Sequence, residues 1–387
     1  MRDDSLAKLN ALLGSIKGNP FYQNKLGGLT SVSSLEEFTE KVPFTTKVEL
    51  AQDQKDHSPY GTNLTYPLER YCRFHQTSGT SGQSMIWLDD REGWEWLRGN
   101  WEWVWQKAGV AAGKVAIFPF SFGPFLGFWA GFESAVALGI RAIPAGGLTS
   151  ESRVALMERL RPEVLCCTPT YGLHLARVAG EARRLGVEKM IVAGEPGGSL
   201  PQVRARLEEA WGAEVIDHHG MTEVGPVTVG DPDDPGRLLL RHESYYCEVI
   251  NRDEQGLGEL VLTTLGRYGS PLLRYRTGDL VRTDDDFALV GGILGRADDM
   301  VVVRGVNLYP GALEEVVRSV PGITEYEAVI DEREAMTEVR LRAEGNGFDL
   351  LERRLREVFS LRIPVERVPP GTLERFEMKA RRWKRMG

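Results

Sequence analysis

Four clusters in this chain carry residue types suited to work on phosphates. The first is His75 to Ser84, His-Gln-Thr-Ser-Gly-Thr-Ser-Gly-Gln-Ser. Here the hydroxyls of Thr77, Ser78, Thr80 and Ser81 and nearby backbone N–H groups can converge on an anion, which Gly79 and Gly82 allow to approach closely. The stretch lacks the Lys-Ser/Thr ending of the kinase and GTPase loop, and a flexible turn has the same composition. The second cluster is His219-Gly220-Met221-Thr222-Glu223. A carboxylate there suits Mg2+, which takes one or two carboxylates plus substrate phosphates; the alternative is a capped turn in which Thr222 and Glu223 open a helix. In the third, Arg274 to Asp279 (Arg-Tyr-Arg-Thr-Gly-Asp), Asp279 can accept hydrogen bonds from a ribose diol or simply belong to a turn. The fourth, Gly295-Arg296-Ala297-Asp298-Asp299 followed by Arg304-Gly305, reads as a hinge with a phosphate-reaching arginine or as a polar linker.

These clusters need a scaffold, and the spacing of apolar residues supplies one. From about residue 115, short apolar runs (VAIF, IRAI, VLCC, KMIV, EVID) alternate with helical patterns near Gly127 to Leu138, Ser150 to Leu160, Tyr171 to Leu185 and Leu200 to Trp211. Such alternation predicts a parallel sheet with crossover helices, whose ligand crevice lies at the strand C-terminal ends. That singles out the loops Phe120 to Gly127, Thr168 to Tyr171, Gly194 to Ser199 and His218 to Glu223. Residues 237–303 change to short strands and turns, an antiparallel flank. The segment from Met300 reads strand, helix, two strands, helix, a small α+β unit of ordinary domain size. The fold class expected is therefore α/β: a large N-terminal domain over residues 1–298, with a parallel sheet and an antiparallel β flank, and a small mobile α+β domain over 299–387.

Composition restricts the partners. The 387 residues carry 47 Lys+Arg against 55 Asp+Glu, a net charge of -8. That argues against broad capture of nucleic acid or anionic lipid, so any phosphate must be held locally. The four cysteines, Cys72, Cys166, Cys167 and Cys247, have no framework spacing and read as reduced thiols of a cytoplasmic protein. Cys166, Cys167 and Cys247 with His218, His219 and His242 would suffice for a zinc site on paper, but no CxxC or HxxxH spacing supports one. The N-terminal leucines Leu6, Leu9 and Leu13 mark an amphipathic helix without a secretory core. Val115 to Phe132 is uncharged but broken by Pro119, Pro124 and three glycines, so it reads as strand, loop and helix start rather than a membrane span. Six of the nine tryptophans lie between Trp87 and Trp105, and Trp94, Leu97, Trp101 and Trp105 share a helical face that reads as core rather than a substrate wall.

In this order, the four clusters resemble the adenylate-forming superfamily of acyl-CoA synthetases, peptide-synthetase adenylation domains and luciferases. The chain is most similar to the phenylacetate-CoA ligase branch, on GNPFYQNKL (Gly18 to Leu26), VPFTTKVEL (Val42 to Leu50), GEP (Gly194 to Pro196), GRADDMVVVRGVNLYP (Gly295 to Pro310) and ERFEMKARR (Glu374 to Arg382). The resemblance implies an enzyme that uses ATP and Mg2+ to turn a small carboxylic acid into an acyl-adenylate, then passes the acyl group to coenzyme A. A carrier protein or other acceptor is the alternative, and a non-catalytic nucleotide- or zinc-binding relative is a further one. No nucleic-acid or membrane partner is implied; whether the chain forms a homodimer is open.

The resemblance also implies roles. Thr77, Ser78, Gly79, Thr80, Ser81 and Gly82 would grip the ATP phosphates, Glu223 would bind the metal, and Thr222 would lie near the α-phosphate. Gly194, Glu195 and Pro196 would line the adenine, together with His218, His219, Gly220 and Met221 around the nucleotide. Asp279 would take the ribose hydroxyls and Arg296 would reach ribose or phosphate. Asp298 matches the hinge, and Lys379 the lysine that bridges the carboxylate and the α-phosphate. Phe120, Phe122, Phe125 and Tyr171 would line the acid, favouring an aromatic or other flat apolar one. Three departures stand out: Gln83 where relatives offer Lys or Arg, His219 where they stack Tyr or Phe on adenine, and Met378 in place of glycine before Lys379.

Overall fold

The computed structural model describes residues 2–77, 84–284, 287–297, 301–303, 306–308, 310–331, 338–359, 361–375 and 382–386. Ser78, Gly79, Thr80, Ser81, Gly82 and Gln83 of the expected phosphate loop, Asp298 at the expected hinge, and Lys379 lie outside the described residues.

Each apolar run expected in the centre is a strand. They form a five-stranded parallel sheet in the order Arg141–Pro144, Val115–Phe118, Val164–Cys167, Lys189–Val192, Glu214–Asp217. The strands are short and apolar throughout because both faces are covered. Side chains alternate across a strand. Ile117, Leu165, Cys167 and Met190 therefore pack under the helices Ser150–Leu160, Pro169–Ala179 and Pro201–Trp211. Ala116, Phe118, Val164, Cys166, Ile191 and Ile216 meet Arg91–Lys107 and Gly127–Ala137. The tryptophan stripe lies on the second of these faces: Trp94, Trp101 and Trp105 are buried. The helix expected over Tyr171 to Leu185 differs, running Pro169–Ala179 and resuming as a single 3-10 turn, Ala182–Leu185. Gly180, at φ +71°, breaks it between the two.

Val115–Phe118, a loop and the helix Gly127–Ala137 account for the uncharged stretch, and no helix among the described residues is long and apolar enough to cross a membrane. The antiparallel flank is a four-stranded sheet, Tyr245–Ile250, Gly258–Thr264, Tyr275–Val281 and Gly295–Arg296. The N-terminal helix Arg2–Ser15 buries Leu9, Leu12 and Leu13 with Leu265 and Leu273 of this region.

Residues from Val301 onward have their own core, with Leu313, Val317, Tyr326, Leu341 and Leu355 at its centre. Its four-stranded sheet runs Val365–Arg367, Glu338–Gly345, Ile323–Asp331, Trp383–Met386. The basic C-terminal tail is thus a strand rather than a solvated run. Arg382 is buried with Nε 2.7 Å from Glu325 Oε1, and Lys384 Nζ is 2.6 Å from Glu327 Oε2.

Candidate active site

Three segments distant in sequence meet at Asp279. The strand Tyr275–Val281 carries it, almost fully buried, opposite Arg296 in register. Arg296 Nη1 lies 2.9 Å from Asp279 Oδ1, and His219 Nε2 lies 3.2 Å from Oδ2. Gly278, at φ +76°, turns the strand just before the carboxylate, and the Asp279 N–H donates to Thr277 Oγ1 at 3.0 Å. The carboxylate is therefore aimed by its own strand and held between two cationic or polar side chains.

His219, Gly220, Met221, Thr222 and Glu223 do not open a helix. Gly220–Met221 pairs antiparallel with Gly225–Pro226, so Thr222, Glu223 and Val224 form the tip of a tight hairpin. Gly220 is required there, since a Cβ would lie 2.7 Å from the Gly225 carbonyl oxygen. Glu223 is buried, yet one carboxylate oxygen, Oε1, meets Lys47 Nζ at 3.3 Å. Lys47 opens the helix Lys47–Asp56, which is fixed by a capping box between Thr46 and Glu49. No motif pointed to Lys47; the sequence signal that could have found it is its place in VPFTTKVEL together with the cation missing at Gln83.

Beneath the hairpin sits a second residue that motif reading missed. Arg267, with no exposed surface, donates from Nε and Nη2 to the two Asp89 oxygens at 2.6 and 2.7 Å and from Nη1 to the Glu223 carbonyl. Asp89 belongs to Ile86–Asp90, the strand paired with Tyr71–Gln76. One buried arginine thus ties the strand pair that flanks residues 78–83 to the Glu223 backbone. Thr77, at the loop's entry, accepts a hydrogen bond at Oγ1 from the Met85 N–H at 2.9 Å, which closes the base of the loop.

Gly194 has φ +93°, and Glu195 Oε1 accepts the Thr170 N–H at 2.7 Å, capping the helix Pro169–Ala179. Glu195 thereby anchors the segment Gly194 to Pro196 against the next strand end. The four residues expected around the acid separate. Phe120 and Phe122 pack ring to ring at 4.5 Å and join Phe128 and Trp129 on the tryptophan face, with Phe125 folded over Gly123. Tyr171 lies on the opposite face, its hydroxyl bonded to Arg153 and Ser150. His218 and His219 also diverge: His219 turns to Asp279, whereas His218 turns to Trp101, at 4.4 Å between ring centroids.

Burial holds two imidazoles well below the ordinary histidine value of 6.5. His75, stacked on Trp94 at 5.2 Å, and His218 are both pushed down to about 4. The unfolded chain takes up protons below pH 6.5 that the folded protein refuses until about pH 4. Stability is accordingly expected to fall as the pH drops through that window and to be steady above it. Urea midpoints measured from pH 7.5 to 4.5 check this, and a flat profile tells against neutral burial of both rings.

Cys166 and Cys167 occupy opposite faces of the sheet, and burial raises both thiols far above their usual range. Among the described residues, no three His, Cys, Asp or Glu side chains gather as a metal cluster. The donor chemistry does fit a hard cation beside phosphates: a buried Glu223 carboxylate on a rigid hairpin, with a lysine at one oxygen to balance negative charge.

Comparison with known proteins agrees with this geometry. Residues 305–384 match the model of the AMP-binding enzyme C-terminal domain. A phenylacetate-coenzyme A ligase from Thermus thermophilus is 30% identical over 327 residues, covering 79% of this chain and 71% of that protein. One from Pseudomonas putida is 29% identical over 374 residues, covering 88% and 83%. A crystal structure of 2-hydroxyisobutyryl-CoA ligase in the postadenylation state superposes with a TM-score of 0.91 at 27% identity, covering 99% of this chain and 89% of that one. The open conformation of that ligase gives 0.75, and its thioesterification state 0.73. With the hairpin that bears Glu223, the buried Asp279 and a separate C-terminal core all in place, the sequence identity decides the assignment: the chain belongs to the phenylacetate-coenzyme A ligase family.

Proposed function

We propose that the protein activates a small carboxylic acid with ATP, releasing pyrophosphate, and transfers the acyl group from the adenylate to the thiol of coenzyme A. The observation that carries the reading is the meeting of Asp279, His219 and Arg296 beside the hairpin that bears Glu223. One surface then offers a ribose acceptor and a metal carboxylate. Mg2+ held by Glu223 would supply neutralisation of phosphate charge. Glu223 would hold that ion in place, Lys47 adds a cation 3.3 Å from its carboxylate, and Thr222 lies at the hairpin tip. Asp279 orients the ribose through its two oxygens. The acid carboxylate attacks the α-phosphorus in line, and positioning with charge neutralisation does most of the work in such transfers.

In this reading residues 1–298 form the adenylating domain and 299–387 a lid that turns about Asp298 between the two half-reactions. The chain superposes on the postadenylation state of 2-hydroxyisobutyryl-CoA ligase with a TM-score of 0.91 and on its thioesterification state with 0.73. The test is an acid-dependent pyrophosphate release screen over aromatic, heteroaromatic and aliphatic acids, with and without coenzyme A. Turnover to AMP that requires coenzyme A is expected. Adenylate that accumulates and is discharged only by a carrier protein would change the acceptor, and no acid-dependent release from any acid would overturn the function.

A further inference from the structure

Three elements expected to handle the nucleotide come from separate parts of the chain, and one buried guanidinium joins them. Arg267 lies in the connection between the strands Gly258–Thr264 and Tyr275–Val281, the second of which carries Asp279. Its Nε and Nη2 donate to the two Asp89 oxygens at 2.6 and 2.7 Å, and its Nη1 donates to the Glu223 carbonyl at 2.5 Å. Asp89 stands on Ile86–Asp90, the strand that follows residues 78–83, and Glu223 stands at the hairpin tip. Ser270 ties the same connection to the same strand a second time, its hydroxyl donating to the Leu88 carbonyl at 2.5 Å. Asp89 Oδ2 also faces His75 Nδ1 at 4.0 Å, a buried atom without a hydrogen-bond partner among the described residues. His75 lies on Tyr71–Gln76, so both strands that bracket residues 78–83 converge on this carboxylate.

Stability is a poor explanation for the pair. Arg267 has no exposed surface and Asp89 is 1% exposed. Taking two charges out of water can cost as much as their attraction returns, and apolar residues of similar volume often serve stability equally well. The surroundings make room for the pair all the same. Gly93, in the first turn of the helix Arg91–Lys107, sits where a Cβ would be 3.3 Å from Asp89 Oδ1. What an apolar pair cannot supply is direction. A guanidinium presents its N–H groups in a rigid planar fork. With two of them held on Asp89, the third is aimed, and the Glu223 carbonyl is fixed with it. Fixing that carbonyl at a hairpin tip limits how far the Glu223 carboxylate can swing.

We propose that the Arg267–Asp89 pair positions Glu223 relative to the strands that bracket residues 78–83, and so sets the affinity for a divalent cation bound together with a nucleoside triphosphate. This inference rests on the metal role given to Glu223 in the function proposed above. Arg267 is a positioning residue: it is sealed beneath the hairpin and acts through the Glu223 backbone. Groups that orient a metal ligand from behind typically change metal affinity or activity by about 10- to 100-fold when they are removed.

The test uses two variants of the full-length protein. Arg267→Met combined with Asp89→Leu removes both charges at once, which avoids stranding one buried ion. Arg267→Lys keeps the charge but loses the planar fork. Binding of Mg2+-ATP is measured by calorimetry without any acid, and folding by the urea midpoint. The double variant is expected to keep a urea midpoint close to that of the wild type while its Mg2+-ATP dissociation constant rises about 10- to 100-fold. Arg267→Lys should weaken binding too, because one ammonium cannot hold Asp89 bidentately and also aim a third bond at Glu223. In pyrophosphate release, the Mg2+ needed for half-maximal rate should rise while the KM for the acid stays within about two-fold. Wild-type Mg2+-ATP affinity in a folded double variant overturns the inference, since the pair is then only structural. An equal loss in the KM for the acid overturns it as well, since that is general distortion. If the double variant does not fold, Arg267→Lys decides, and unchanged affinity there overturns the inference. A wild-type protein that binds Mg2+-ATP but releases no pyrophosphate with any acid ends the acid-activating function and leaves the binding test of Arg267 standing. Failure of the wild type to bind Mg2+-ATP overturns both.

Discussion

Glu223→Gln is expected to lower the rate of adenylate formation by about two orders of magnitude or more, the scale for removing a main charge-stabilising group from a phosphoryl-transfer site. The substitution keeps the side-chain volume and leaves in place the hydrogen bond that Arg267 donates to the Glu223 backbone carbonyl. What changes is charge. The carboxylate that faces Lys47 at 3.3 Å becomes neutral, so the lysine loses its partner and the hard-cation ligand weakens at once. Single-turnover pyrophosphate release at varied Mg2+ measures the effect, and a large rise in the Mg2+ needed for half-maximal rate should accompany it. Adenylation at near wild-type rate would remove Glu223 from the metal site. Lys47→Met serves as a comparison: it should weaken ATP binding while leaving the Mg2+ requirement closer to that of the wild type.

Lys379→Ala is expected to slow adenylate formation by about 10²- to 10³-fold, as for loss of one preorganised electrostatic contact. It should leave conversion of a chemically supplied acyl-adenylate to the thioester nearly intact. The lysine itself lies outside the described residues, and its role is what the resemblance of ERFEMKARR to the family motif implies; the described cations around it have partners of their own. Arg375 is ion-paired with Glu344 at 2.5 Å, Arg382 with Glu325 at 2.7 Å and Lys384 with Glu327 at 2.6 Å, all within the C-terminal unit. Those three cations are committed to the lid's own sheet. Lys384 in particular sits in the strand Trp383–Met386, and Lys384→Ala removes a half-exposed cation while the buried Glu327 keeps Arg342 at 3.0 Å. Half-reactions assayed separately decide between them. Normal adenylation by Lys379→Ala with loss in Lys384→Ala would mean that the terminal motif is displaced by five positions.

The central sheet was legible residue by residue. VAIF, VLCC, KMIV and EVID are short apolar runs between amphipathic helices, a pattern that only strands covered on both faces produce. The helix Ser150–Leu160 falls where the periodicity put it. The C-terminal strand was not legible, because Trp383-Lys384-Arg385-Met386 has the composition of a solvated basic tail. It becomes a strand only because the edge of Ile323–Asp331 and the buried acids Glu325 and Glu327 are there to receive it.

By itself the sequence determined which residue types could meet a nucleotide: the hydroxyl-rich loop after His75, the carboxylates of Glu223 and Asp279, and the arginine of Gly295-Arg296. It could do so because each lies in a local pattern, a loop or strand end whose chemistry is set by neighbours within a few positions. Tertiary structure alone decided the remainder. Lys47 reaches Glu223, and Arg267 ties Asp89 to the Glu223 backbone, across separations that no local pattern encodes. Tyr171 and Phe120 were placed on opposite faces of one sheet, and His218 and His219, identical neighbours, were sent to an aromatic wall and to a carboxylate. The physical reason is that a side chain's chemistry depends on what desolvates and pairs it, and in a parallel sheet that is settled by strand order and side-chain alternation, which bring together residues far apart in the chain.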